Sequence, residues 1–121
     1  MTAEKILSAL PIVQKLVGLQ LPVKKAYKVY SLAKQINEQR EFFINEEKKL
    51  IEKFNGTIQE DGQIIFENDV CSEDFAKAHF EMMTNEIDGF SPIELTFEDL
   101  KGAEFSPFDI GLLDGLVNFI D

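Results

Sequence analysis

The chain has 121 residues, is 45% hydrophobic and carries a formal net charge of −10. The length fits one domain, residues 1–121, and the hydrophobic content excludes a disordered chain. A single cysteine excludes an internal disulfide framework and suits a reducing compartment, and no apolar run reaches the 18 residues that a membrane span needs. Because the opening residues also lack the pattern of a signal peptide, we expect a cytoplasmic protein without a membrane partner.

Charge is distributed unevenly along the chain. Ten Lys/Arg and six Asp/Glu give residues 1–54 a net charge of +4, whereas two Lys/Arg and sixteen Asp/Glu give residues 55–121 a net charge of −14. The asymmetry predicts two faces of opposite sign, or a basic helix that is partly screened by the acidic half. Ordinary solubility charge is an equally good explanation.

The first predicted element is a helix that Thr2 caps. Its apolar residues recur at helical spacing as far as Val17, but Pro11 should kink or split it because proline has no amide hydrogen. Gly18 and the Leu21–Pro22 step predict a turn, and its shortness makes the next helix an antiparallel neighbour.

The longest predicted element runs from Pro22 to Phe54 without an internal Pro or Gly. Pro22 suits a first helical position, and Asn55–Gly56 suits a helix end. The apolar seam of this helix repeats every seven residues at Val29, Ile36, Phe43 and Leu50. We expect shorter elements of the same chain to cover the seam, and the alternative is that part of it meets a second copy or another protein.

The second half of the chain predicts small elements. Asp61–Gly62 between two β-prone runs, 57–59 and 63–66, predicts a hairpin, and the alternating run 93–97 is the candidate for a third strand. Between them, Ser72 can cap a helix that Gly89 and Pro92 end. The predicted buried face of that helix consists of Ala76, Phe80, Met83 and Ile87.

A C-terminal helix is predicted from Ser106–Pro107, with Ser106 as the cap and Asp109 as the acid of a capping box. Gly111 and Gly115 weaken this helix or permit close approach of another backbone. Its apolar face docks on the core or forms part of an interface. The face consists of Leu112, Leu113, Leu116, Phe119 and Ile120.

The sequence contains no recognised catalytic or metal-binding motif. It has no Gly-rich phosphate loop, nucleophile elbow, His-Glu-x-x-His helix or Cys-x-x-Cys pair. His79 and Cys71 are interpreted as structural residues, because no spacing supports a metal site or a nucleophile with a partner base. We therefore expect no catalytic residue, no cofactor, no metal and no enzymatic activity, although 22 acids leave an unrecognised carboxylate site open.

Two sets of charged residues are candidate partner-binding residues. Lysines interleave with aromatic residues near the start of the long helix, and the first set is Lys24, Lys25, Tyr27 and Lys28. Tyr30 and Lys34 extend this basic cluster. Such a pattern can bind nucleic acid, but the net negative charge of the chain opposes direct nucleic-acid binding. The second set belongs to the acidic half, and it is Glu94, Glu98 and Asp99.

Several stretches resemble small proteins encoded by phages and prophages of Gram-positive bacteria, a family of uncharacterised function. The similar stretches are Leu21-Pro22-Val23-Lys24-Lys25-Ala26-Tyr27-Lys28, Lys49-Leu50-Ile51-Glu52-Lys53-Phe54, Ile93-Glu94-Leu95-Thr96-Phe97-Glu98-Asp99-Leu100 and Phe105-Ser106-Pro107-Phe108-Asp109. The chain departs from the family pattern at Asp114–Gly115, where a proline is expected. The resemblance implies a phage or mobile-element origin, the host bacterial cytoplasm, and a non-enzymatic accessory role.

We therefore expect a mainly helical α+β fold with a long central helix, an N-terminal helix, a β-hairpin or three-stranded sheet, a short helix and a C-terminal helix. The predicted function is that of an accessory protein that acts by protein–protein interaction, as an acidic inhibitor of a host or defence enzyme. The alternative is a structural or assembly component of a phage particle that self-associates as a homo-oligomer through the long helix.

Overall fold

The fold is α+β, as predicted, and a single long helix extends through most of it. The computed structural model describes residues 1–87 and 89–120. The helices are α1 (Ala3–Val17), α2 (Val23–Lys53), α3 (Asp69–Thr84) and α4 (Pro107–Leu112), with a 3₁₀ helix at Phe97–Leu100. The strands are β1 (Gly56–Ile58), β2 (Ile64–Phe66), β3 (Ile93–Thr96) and β4 (Val117–Ile120).

The start of α1 confirms the predicted cap, because the Thr2 hydroxyl accepts a hydrogen bond from the Lys5 amide at 3.3 Å. Pro11 lies inside this helix without splitting it. Its side chain is exposed, and proline removes only one helical hydrogen bond, the one to the Leu7 carbonyl oxygen, so the helix continues. The helix then ends at Gly18, as the turn signal predicts.

Helix α2 is continuous over 31 residues, or about 46 Å at 1.5 Å per residue. Pro22 precedes it as the capping residue rather than standing at its first helical position. At the other end, Asn55 has a left-handed φ of 58°, which confirms the predicted stop. The same chain covers the seam: Val29, Ile36 and Phe43 are buried, and Ile51 replaces the half-buried Leu50 at the fourth position.

The main core lies around the first half of α2. It combines buried side chains from α1, α2, β3, the 3₁₀ helix and the C-terminal segment, and it excludes Phe43 and Ile51. The buried residues of this main core are Ile6, Ala9, Ile12, Val13, Leu16, Val29, Leu32, Ala33, Ile36, Leu95, Leu100, Leu113, Leu116 and Val117.

A second, smaller cluster covers the other half of α2. The predicted hairpin forms here, with β1 antiparallel to β2 and Thr57 opposite Ile65. Gly62 occupies its turn with a φ of +87°. The Phe66 ring packs against the Phe75 ring of α3, with 4.9 Å between the ring centroids. Since an isolated two-stranded hairpin is marginal in water, its contacts with α2 and α3 stabilise it.

The predicted third strand does not join this hairpin. Residues Ile93–Thr96 pair instead in parallel with β4, with Ile93 opposite Val117 and Thr96 opposite Ile120. A parallel pair needs a crossover connection, and the 3₁₀ helix and α4 provide it. The Phe97 and Phe119 rings stack at 5.0 Å beside this pair.

The C-terminal helix is shorter than predicted. Ser106 and Asp109 form the predicted capping box, but α4 ends at Leu112 and the chain continues as strand β4. Gly115 turns the chain with a φ of +86°, and a Cβ atom there would lie 2.7 Å from the Met1 Cε atom. Gly115 therefore permits close approach of the Met1 side chain and not of another backbone, whereas Gly111 faces open space. The apolar C-terminal end does dock on the core, through Leu113, Leu116 and Val117.

The predicted start of α3 is wrong, and its predicted buried face is only partly correct, because Met83 and Ile87 are half-buried. Asn68 caps the helix instead of Ser72, and accepts a hydrogen bond from the Cys71 amide at 2.9 Å. The half-buried side includes Phe75 and His79, whereas Ala76 and Phe80 are exposed. The helix therefore begins four residues earlier than predicted and ends at Thr84, before Gly89 and Pro92. Its half-buried side is displaced from Ala76 and Phe80 towards Phe75 and His79.

We expect Gly56→Ala to lower the free energy of unfolding by about 1–3 kcal/mol, because a Cβ atom there overpacks the hairpin against α2. That atom would lie 2.9 Å from the Ile51 Cγ2 atom and 3.2 Å from the Ile51 carbonyl oxygen. Urea unfolding measures the change. Gly111→Ala is the control, since it adds a helix-favouring methyl group in open space and should be neutral or slightly stabilising. Equal effects of both substitutions would contradict this packing.

Candidate functional site

The first half of α2 exposes a row of large side chains. Val23 is 85% exposed, Tyr27 is 68% exposed and Tyr30 is 60% exposed. Because they are four and three residues apart, they lie on one side of the helix. The centroids of the two tyrosine rings are 6.3 Å apart. This side of α2 faces away from the buried seam at Val29 and Ile36.

Three exposed lysines surround these side chains, namely Lys24, Lys28 and Lys34. We call the surface formed by Val23, Lys24, Tyr27, Lys28, Tyr30 and Lys34 the tyrosine–lysine face. Tyrosine provides a large, rigid contact area with a polar tip, and lysine favours an acidic partner. The face therefore combines apolar contact with the positive charge of its lysines, and Glu38 and Glu41 lie beside Lys34 at one edge.

A groove borders each side of the tyrosine–lysine face. The first has a volume of about 250 Å³, and it is lined by Tyr27 and Lys28 of α2 and by Ile93 at the start of β3. The Gln35 Nε2 atom donates a hydrogen bond to the Gly89 carbonyl oxygen at 3.0 Å and joins the two walls.

The second groove, of about 360 Å³, lies between α2 and α1. Tyr30 and Lys34 form one wall, and Gln14 and Val17 form the other. The two tyrosines thus stand on a ridge with a depression on either side, which is a shape that a partner's side chains can fit.

Two of the predicted partner-binding residues bind each other. The Lys25 Nζ atom donates a hydrogen bond to the Asp99 Oδ2 atom at 2.7 Å, and this contact joins α2 to the 3₁₀ helix. The same carboxylate accepts a hydrogen bond from the Thr96 amide at 2.8 Å and so completes a capping box. The Lys25 ammonium, followed by the Thr96 amide, lowers the pKa of Asp99. Both residues therefore stabilise the fold and are not free for a partner.

The other two predicted acidic residues are exposed. Glu94 lies on β3, and its neighbours Ile93 and Leu95 are half-buried and buried. Glu98 lies on the 3₁₀ helix and pairs with Lys101, three residues along the chain, with both side chains largely exposed. Of the acidic set, Glu94 and Glu98 remain accessible to a partner and Asp99 does not.

The second carboxyl group with a shifted pKa also has a structural explanation. The Ser106 amide, followed by the Lys15 ammonium, lowers the pKa of Asp109. The Lys15 Nζ atom lies 3.1 Å from the Asp109 Oδ2 atom, and joins α1 to the cap of α4. Because helix caps and ion pairs account for both shifts, neither carboxyl is singled out as a reacting group.

His79 lies between α2 and α3, where its Nε2 atom is 3.1 Å from the Glu47 Oε2 atom. Its ring packs against Phe75 with 5.5 Å between the centroids. Cys71 is half-buried on the same helix. Among the residues that the structure describes, no three or more His, Cys, Asp or Glu side chains lie close enough together to hold a metal ion.

Sequence reasoning identified the basic residues of the site but not its shape. Tyr30 and Lys34 belong to the predicted basic cluster, yet their place at the groove between α1 and α2 depends on helix packing. The contributions of Ile93 and Gln14 have no local signal at all, because they come from other elements. The exposure of Phe80 was also missed, since its spacing resembles that of a buried position.

No protein-family model, curated protein or solved structure matches this chain. Within residues 1–87 and 89–120, no helix combines the length and the apolar character needed to cross a bilayer. The resemblance to phage proteins therefore depends on the sequence motifs alone.

We expect Asp99→Asn to lower the free energy of unfolding at pH 7 by about 1 kcal/mol, because it removes a charged helix cap and the partner of Lys25. The folded-state pKa of Asp99 lies below its ordinary value of 3.8. The contribution of Asp99 is therefore fully present above that value, and is lost as the pH falls through the lowered pKa. Urea unfolding between about pH 2.5 and pH 7 measures it.

Glu98→Gln is the matched control for this measurement. The Glu98 side chain is 72% exposed, so its ion pair with Lys101 should contribute about 0.5 kcal/mol or less. A pH dependence in Asp99→Asn that is identical to that of the unmodified protein would contradict the assignment.

Proposed function

We propose that this chain acts by protein–protein interaction without catalysis, and that the tyrosine–lysine face of α2 is its principal binding surface. The observation that carries the proposal is the exposure of Tyr27 and Tyr30, 68% and 60%, on a ridge between two grooves. Tyrosine is enriched among the residues that dominate interface energies, and such residues fit into pockets on the partner.

The lysines of the tyrosine–lysine face favour a partner that has an acidic patch where it contacts this face. Lys24, Lys28 and Lys34 border the tyrosines, and all three side chains are exposed. Charges at the rim of an interface mainly increase the association rate, and salt screens them. The complex should therefore form quickly at low salt and weaken as salt is added.

The finer proposal is that the protein is a phage-type accessory protein that inhibits a host or defence enzyme in the bacterial cytoplasm. The resemblance to phage proteins, the small size and the separation of charge support it. An enzyme inhibitor needs only a stable contact that blocks a surface. The exposed acids Glu94 and Glu98 are a second candidate contact region, although neither lines the groove at Ile93.

The alternative, an assembly component of a phage particle, needs a different interface from the one that the sequence suggested. The seam of α2 is covered by α1, β3 and the smaller elements of the same chain. Self-association would therefore have to use an exposed surface, such as the tyrosine–lysine face. Light scattering of the purified protein distinguishes the two roles, because the inhibitor is expected to be a monomer.

We expect the double variant Tyr27→Ala/Tyr30→Ala to lose its partner. A tagged protein should recover one host protein in near-equal amount from a Gram-positive host lysate, as identified by mass spectrometry. Removal of two anchoring tyrosines at about 2 kcal/mol each would weaken binding roughly 10³-fold.

Phe108→Ala is the control for this experiment. Phe108 is 74% exposed on α4 and lines neither groove of the tyrosine–lysine face, so its removal should leave binding intact. Equal recovery by the double variant and by the unmodified protein would refute the proposed face. Recovery of capsid or tail proteins would favour the assembly role.

Charge reversal at Glu94 and Glu98 tests the acidic part of the surface. We expect Glu94→Lys/Glu98→Lys to slow association with the recovered partner about tenfold at low salt if these acids face a basic region. Stopped-flow or surface plasmon resonance measures the rate. Asp99 must be kept unchanged, since its substitution would disturb the cap and the Lys25 contact. An unchanged rate would exclude these acids from the interface.

A further inference from the structure

A third groove lies along α3, in the acidic half of the chain. It has a volume of about 510 Å³ and is lined by Phe75, Ala76, His79, Phe80 and Met83 of α3 and by Glu4 of α1. The α3 residues at 76, 79, 80 and 83 recur at helical spacing, so they form one wall along the helix. We call this depression the α3 groove.

Helix α3 contacts α1, α2 and β2 but is only shallowly packed. None of its sixteen residues, all within the described part of the chain, is fully buried. The Phe75 ring contacts Phe66, and His79 contacts Glu47, so these residues attach the helix to β2 and α2. Phe80 lines the same groove as Phe75 and His79 but is 67% exposed. An exposed phenylalanine beside Ala76 and Met83 forms an apolar patch suited to a partner.

Carboxylates surround this apolar patch. Glu4 lies across the groove on α1, and Asp69 and Glu73 lie on α3, seven and three residues before Ala76. Lys77 is the one cation within α3, and residues 55–121 contain only one other, Lys101. The local field is therefore negative, which favours a cationic partner and repels an anionic one.

We propose that the α3 groove binds a basic amphipathic helix of a partner protein. Apolar side chains of that helix pack on Phe80, Ala76 and Met83, and its lysines or arginines pair with Glu4 and Glu73. Helix-in-groove recognition uses anchors at this spacing. A second copy of this chain is the competing occupant, because its tyrosine–lysine face is also basic, and dimerisation in solution distinguishes it from a partner protein. The inference does not depend on the tyrosine–lysine face.

A synthetic peptide of about fifteen residues, with leucine at helical spacing and lysine elsewhere, is the probe. A matched peptide carries glutamate in place of every lysine. Fluorescence anisotropy of the labelled peptides, titrated with the full chain at two salt concentrations, measures affinity. We expect the lysine peptide to bind at one site and the glutamate peptide to bind far more weakly.

Variants of two exposed residues on the same helix locate the site. Phe80→Ala should weaken binding of the lysine peptide at least tenfold, since it removes the main apolar contact. Val70→Ala should leave binding unchanged, because Val70 is 65% exposed on α3 but does not line the groove. Both side chains are exposed, so both variants should keep the unfolding temperature of the parent protein.

Three outcomes would overturn the proposal. Equal affinity of Phe80→Ala and the unmodified protein would show that the peptide responds only to net charge. Equal affinity for the two peptides would remove the electrostatic argument. Dimerisation that Phe80→Ala abolishes, detected by light scattering, would assign the groove to a second copy. The result at Tyr27 and Tyr30 is independent, so either surface can fail without the other.

Discussion

The length of α2 is the constraint on which the rest of the structure depends. A helix of about 46 Å is longer than one small core can cover, and its seam remains apolar from Val29 to Ile51. The chain covers it with two separate clusters. The main core covers the seam as far as Ile36, and the hairpin and α3 cover Phe43 and Ile51. The second cluster buries no residue of α3 fully, so this helix has a half-buried side and an exposed side.

The two candidate surfaces follow from this arrangement. The outer side of α2 is left to solvent where Val23, Tyr27 and Tyr30 lie, and the outer side of α3 is left to solvent where Phe80 lies. Exposed aromatic residues at helical spacing contribute nothing to either core. Their exposure is the reason why both faces are candidates for contact with another molecule.

Local signals predicted most of the fold. The caps at Thr2 and Ser106, the end of α2 at Asn55 and the turn at Gly62 each depend on a few neighbouring residues. Non-local pairing was harder to predict. The run after Gly115 fits a helix or a strand by its apolar spacing, and only its register with Ile93–Thr96 decides for the strand. The candidate site shows the same difference between local and non-local features. The exposed tyrosines and lysines could be predicted from neighbouring residues, whereas the Lys25–Asp99 contact joins residues 74 positions apart.

Ion pairs between the basic and the acidic half of the chain explain part of the charge asymmetry. Three lysines of the basic half pair with aspartates of the acidic half: Lys25 with Asp99 at 2.7 Å, Lys15 with Asp109 at 3.1 Å and Lys5 with Asp114 at 3.9 Å. Part of the asymmetry is therefore internal, and it holds the C-terminal elements against α1 and α2. The lysines of the tyrosine–lysine face do not belong to these pairs, and neither do Glu4 and Glu73 at the α3 groove. Because internal contacts do not neutralise these groups, the two surfaces keep opposite charge and should select partners of opposite sign.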